Sequence, residues 1–141
     1  MSDTNMANCV GGVVKVIRKT FETVEIPIGP TTVFFDRSSR HWGDDYEWNK
    51  YILLTTQHYA NDKLRMNEVL DINEVYKMLD IKTRYDENGR RLGWVLNNEN
   101  GDDYVDFGLY NPDFMNGAGT FEWPNGEPFI VLNFNAYDIS E

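Results

Sequence analysis

A chain of 141 residues with 41% hydrophobic and 14% aromatic side chains has enough apolar material for one domain with its own core, and too many aromatics for a disordered segment. Its formal net charge of −10, from 13 basic and 23 acidic side chains, disfavours direct binding to nucleic-acid phosphate or to an anionic membrane, since both need a basic face. The single cysteine, Cys9, excludes an internal disulfide and a thiolate metal cluster, and no apolar run approaches the roughly 18 residues of a membrane span.

The N-terminal MSDTNMANC has no basic region followed by an apolar one, so the chain is expected to stay in the compartment where it is made. Charge is distributed unevenly. Residues 1–91 hold all 13 basic side chains with 14 acids, whereas residues 92–141 carry nine acids and no Lys or Arg.

In chain order, residues 10–18 (VGGVVKVIR) and 21–28 (FETVEIPI) are β-branched runs separated by Lys19-Thr20, which predicts a hairpin. Val24, Ile26 and Ile28 alternate with Glu25 and Pro27; the proline predicts an edge strand. TTVFFD (31–36) follows as a third strand and RSSRHWGDD as a loop. Asp44 or Asp45 is placed to cap a helix of about twenty residues reaching Leu64. Trp48, Ile52, Thr55 and Tyr59, widened by Tyr51 and Leu54, predict its buried stripe.

MNEVL fits either a strand or a linker. DINEVYKMLDI predicts a second helix, with Asp71 and Glu74 in a capping-box spacing and Ile72, Val75, Tyr76 and Leu79 on its apolar face. Beyond the Asn88-Gly89 turn, LGWVLN reads as a strand. In YVDFGLY, Val105, Phe107 and Leu109 alternate with Tyr104, Asp106 and Tyr110. NPDFMNGAGTFEWPNGEP predicts an irregular excursion, and FIVLNFN, with Ile130, Leu132 and Phe134 on one face, the last strand. Strands, two helices and strands in that order predict a single α+β domain, an antiparallel sheet with two helices packed on one face. Within residues 1–141, residues 1–30 form the N-terminal hairpin region.

Chemical signatures are sparse. The turns at Gly89 and Gly101 lack both the leading acid and the closing Glu of a calcium loop. His58 and Asp62, at i and i+4, suggest no third ligand; Cys9, Ser38 and Ser39 sit in no nucleophile elbow or triad pattern. Ser38, Ser39, Arg40, His41 and Asp44 gather reactive side chains in one loop, which cap and turn chemistry accounts for. No cofactor or metal site is therefore predicted. Aromatics are the other anomaly. Trp48 and Trp94 are expected in the core, and Phe121 and Trp123, in the excursion, at the surface as partner-binding candidates.

The succession TTVFFDRSSRHW, a long helix, LDINEVYKMLDI, LGWVLNN and FIVLNFNAYDI resembles an uncharacterised domain family carried by phages and prophages of Gram-positive gut bacteria. Leu70, Asn73, Glu74, Tyr76, Leu79, Gly93, Trp94 and residues 129–134 carry the resemblance, which spans residues 31–138. It implies a phage origin and no activity, so no catalytic residue is carried over.

We therefore expect a non-enzymatic protein-binding module of the bacterial host's cytoplasm or of the virion. Its acidic C-terminal half would dock on a basic host protein that handles nucleic acid in defence, without binding nucleic acid or membrane itself. The expected binding surface is acidic (Glu99, Asp102, Asp103, Asp106 and Asp113), with an aromatic loop at Phe121, Glu122 and Trp123. The alternatives are a virion or assembly component, compatible with a homo-oligomer, and a metal-dependent hydrolase.

Overall fold

A computed structural model describes residues 9–10, 13–17, 23–84, 88–99, 101–109 and 121–140. The chain is a single α+β domain, but its strands form two antiparallel sheets rather than one.

The larger sheet contains β1 (Cys9–Val10), β2 (Val13–Ile17), β3 (Thr23–Pro27), β4 (Thr32–Asp36), β7 (Phe121–Glu122) and β8 (Pro128–Asn133). The N-terminal hairpin forms as predicted, with β2 and β3 in the register Val14↔Ile26 and Val16↔Val24. Among the described residues β3 pairs with β2 alone, an edge position that suits its proline. Strand β4 does not continue this hairpin. It pairs with β8, Phe34 opposite Val131 and Phe35 opposite Ile130, so the sheet joins the two ends of the chain.

Strand β8 is buried on both faces, which is why PFIVLN reads as a continuous apolar run. Ile130 and Leu132 join Val33 and Phe35 in the main core, whereas Phe129 and Val131 turn to a second core with Val16, Ile26, Phe121 and Trp123. The sequence pattern does not anticipate this second core. Part of the expected irregular excursion is the hairpin β7–β8. Gly126 N–H donates to Trp123 O (2.8 Å), Trp123 N–H donates to Glu127 O (2.9 Å), and Gly126 takes a φ of 86°. That is a β-turn closed by a left-handed glycine, for which Pro124-Asn125-Gly126 is well suited.

Helix α1 (Tyr46–Asn67) is capped by Asp45, whose carboxylate accepts the Glu47 N–H at 3.1 Å. Its buried face differs from the expected stripe. Asn49, Leu53, Ala60 and Leu64 are buried, while Trp48, Tyr51 and Tyr59 stand exposed. At about 100° per residue the true face lies roughly a third of a turn from the expected one. The cause is polar. The Asn49 amide both accepts the Gly43 N–H and donates to the Gly43 carbonyl, at 2.8 Å each, so a residue that counts as outward in any hydropathy pattern is turned in.

Strand β5 (Val69–Asp71) leads into α2 (Ile72–Met78), whose Ile72, Val75 and Tyr76, with Leu79 just beyond it, enter the main core as predicted. Asp71 caps α2 through the Asn73 N–H (2.8 Å), but Glu74 turns to Lys63 (3.2 Å).

The second sheet orders β5, β6 (Leu92–Val95) and β9 (Tyr137–Asp138). Gly93 lies where the β5 backbone presses closest, and a Cβ there would overlap the Leu70 carbonyl oxygen and approach Asp71 Cα at 3.1 Å. Among the described residues no helix is long and apolar enough to cross a membrane.

Because backbone cannot yield as a side-chain tip can, Gly93→Ala should destabilise the fold by about 3 kcal/mol or more. Gly126→Ala, with open space but a positive φ, should lose only about 1 kcal/mol. Urea midpoints of the two variants check this ordering.

Candidate functional site

Among its described residues the acidic segment 97–109 contains no strand. After β6 the chain turns at Asn97 (φ 62°), and residues 105–107 lie along the end of β8 without forming a strand: Phe107 O accepts the Asn133 N–H (3.1 Å) and Asp106 O the Asn135 N–H (3.2 Å). Side-chain amides supply the rest of the bonding. Asn61 of α1 accepts the Val105 N–H (2.8 Å) and donates to the Val105 carbonyl (3.0 Å), as a paired strand would, and Gln57 Oε1, one turn earlier, accepts the Phe107 N–H (2.8 Å).

From the other side, Asn135 Oδ1 accepts the Asp106 N–H (2.9 Å) and the buried Trp94 indole N–H (2.7 Å). Its Nδ2 donates to Tyr104 O (2.9 Å) and Asp102 Oδ2 (3.1 Å), which uses both donors and both lone pairs of the amide. Val105, Phe107 and Leu109 are consequently buried, so the alternation seen in the sequence holds although the segment forms no strand.

This support divides the acidic residues. Asp106 accepts the Gly108 N–H (2.8 Å) and shapes a turn at a φ of 74°, and Asp102 belongs to the Asn135 network. Both are structural as well as charged. Glu99 and Asp103 are exposed, and Tyr104, which follows Asp103, is half-exposed. Gly101 fits against the Tyr137 ring, where a Cβ would overlap it. Asp113 lies outside the described residues.

The expected aromatic surface is corrected. Phe121 and Trp123 are only 1% and 2% exposed, with Trp123 stacked on Phe129 at 4.1 Å and Phe34 edge-on to it at 5.1 Å. Their Gly- and Pro-rich surroundings are turn chemistry in a strand hairpin that faces the second core; Glu122, between them, is partly exposed. Trp48, expected in the core, is exposed, while Trp94 is buried as expected.

Loop 37–45 is likewise structural. Asp36 Oδ1 accepts both the Ser38 N–H (2.9 Å) and hydroxyl (2.6 Å), and the buried Ser39 hydroxyl donates to Leu79 O (2.6 Å). Asp80 Oδ2 accepts from Arg40 N–H (2.8 Å) and Nε (3.2 Å). On α1, Asp62 sits between His58 Nε2 (3.6 Å) and Arg65 on an exposed face. Among the described residues no three His, Cys, Asp or Glu side chains are grouped to hold a metal ion.

Sequence reasoning missed Gln57, Asn61 and Asn135, the residues that position the segment. A signal exists in the i, i+4 spacing of two amides on α1, which places both on one side of the helix.

Asn61→Ala leaves a buried N–H and a buried C=O of Val105 unpaired and should lower stability by about 2–4 kcal/mol. Native-state hydrogen exchange should show the Val105 amide losing protection ahead of the β8 amides.

The Asp80 carboxyl is held below its usual range, first by the Arg40 backbone N–H and then, against burial, by the Arg40 guanidinium. A lowered folded-state value stabilises above the ordinary carboxylate range and is lost as pH falls through the lowered value. Asp80→Asn keeps a residue type tolerant of the φ of 53° and should flatten the acid limb of a urea-midpoint curve taken from about pH 5 to pH 2.

No curated protein and no solved structure is significantly similar to the chain. One family model does match, over residues 4–141, and so takes in the N-terminal hairpin as well as the part from β4 onward. With nearly its whole length matched, the chain belongs to a family of unknown function (DUF6353).

Proposed function

We propose that this protein is a non-enzymatic binding module, encoded by a phage, whose acidic segment docks on the basic surface of a host protein that handles nucleic acid. The observation that supports this reading best is the build of residues 101–107. Gln57, Asn61 and Asn135 clamp the backbone of residues 104–107, while Asp103 stays exposed beside Tyr104 in the chain and Glu99 is exposed ahead of them.

A pre-positioned segment loses little conformational freedom on binding, which favours recognition by charge and one aromatic anchor. The absence of Lys and Arg after Arg91 gives that part of the chain one sign of charge, which steers a basic partner and repels phosphate. The phage origin rests on the resemblance carried by residues such as Leu70, Asn73, Glu74, Gly93 and Trp94.

Affinity capture of the tagged protein from phage-infected host lysate, at low and high salt, tests the proposal. One basic host protein should be enriched and should elute as salt rises. With that partner purified, Asp103→Asn and Glu99→Gln should each weaken binding about two- to fivefold, mainly through the association rate. Affinity indifferent to ionic strength would remove the electrostatic reading. Recovery of capsid or tail proteins in fixed stoichiometry would make the protein a particle component instead.

A further inference from the structure

We infer that the outer face of α1 is a homodimer interface on which two copies of the chain pair antiparallel. Trp48, Tyr51, Tyr59 and Met66 are 49%, 59%, 57% and 80% exposed, an unusual set of large apolar side chains to leave in water. At about 100° per residue they fall, with Thr55 and Asp62, within a sector of roughly 80° opposite the buried Asn49, Leu53, Ala60 and Leu64. Trp48 and Tyr51 already pack on each other at 5.9 Å.

Charge identifies the occupant. A chain at −10 repels its own copies over most of its surface, but α1 carries Glu47 and Asp62 against Lys50, Lys63 and Arg65 and is not acidic. Within the outer face, opposite signs stand at opposite ends. Glu47 lies in the first turn and Arg65 in the last, five turns apart and at the same angle about the axis.

A two-fold axis level with Thr56, one residue beyond Thr55, that sets two such helices antiparallel keeps each flank on its own side. Glu47 of one copy then meets Arg65 of the other, twice, while Trp48 meets Met66 and Tyr51 approaches Asp62. The small Thr55 at the crossing lets the helices come close. An isologous contact of this kind closes at two copies and does not propagate into a particle.

A helix about 33 Å long and about 10 Å wide covers an area well under the roughly 800 Å² per partner of a standard interface, so the dimer is concentration-dependent. The acidic segment attaches at Gln57 and Asn61, on the flank of α1 away from this sector, and both copies keep it accessible. The inference therefore stands independently of the docking reading above.

Sedimentation equilibrium of the full chain from about 1 to 500 µM is the test, with urea midpoints confirming that each variant folds. The wild type should pass from monomer to dimer with a dissociation constant of roughly 10–100 µM. Tyr51→Asp and Glu47→Arg should each weaken it about tenfold or more, and the double exchange Glu47→Arg with Arg65→Glu should restore it to within about threefold of wild type. A protein monomeric throughout the range overturns the inference. So does a dimer unaffected by Tyr51→Asp, which would lie on another surface such as the β3 edge, or one that the charge exchange fails to restore.

Discussion

The rest of the structure depends on the way Gln57, Asn61 and Asn135 hold residues 104–107. With the backbone bonds from Asn133 and Asn135, these three amides satisfy the backbone of a segment that forms no strand of its own; Gln57 and Asn61 tie it to α1, and Asn135 ties it to the stretch after β8. An unpaired buried N–H or C=O costs about 1–3 kcal/mol, so the amides must point inward whatever their polarity. That requirement, with the Asn49 bonds to Gly43, sets the rotation of α1. It leaves Trp48, Tyr51 and Tyr59 outside and brings Leu53, Ala60 and Leu64 in. Through Trp94 Nε1 the same Asn135 links the second sheet to the segment.

Strand β8 plays the complementary part for the apolar side. Its consecutive buried residues supply both cores, Ile130 and Leu132 to one and Phe129 and Val131 to the other. The second core is largely aromatic, with Phe34, Phe121, Trp123 and Phe129 in mutual edge or stacked contact. Trp123 Nε1 is buried there without a hydrogen-bond partner among the described residues. Its large ring burial outweighs the one unmet donor, since a stacked indole contributes more apolar area than a single N–H loses in solvation.

The surface that remains is organised into two unlike regions. One is the negatively charged stretch at Asp102–Tyr104, next to the clamped residues 105–107 and with Glu99 exposed ahead of it; the other is the aromatic, charge-balanced outer face of α1. A one-sign surface favours a basic partner of a different kind, and a balanced one with opposite charges at its ends favours its own copy. The loop at 37–45, rich in chemically reactive residue types, contributes to neither. Its Ser38, Ser39 and Arg40 are consumed by bonds to Asp36, Leu79 and Asp80.

By itself the sequence determined the α+β class, the N-terminal hairpin with its proline edge, both helices with the Asp71 cap and the Asp44-or-Asp45 choice for the other, and the inward alternation of Val105, Phe107 and Leu109. These follow from local periodicity, capping and turn chemistry, which act over a few residues. Only the tertiary structure decided which face of α1 is buried, that Trp123 belongs to a core, that there are two sheets, and which acids stay available to a partner. Each of these depends on contacts between residues far apart in the chain, such as Asn61 with Val105 or Trp94 with Asn135. An amide that replaces a strand leaves the same letter in the sequence as one that faces water, and the difference between them is settled only by what the fold brings opposite it.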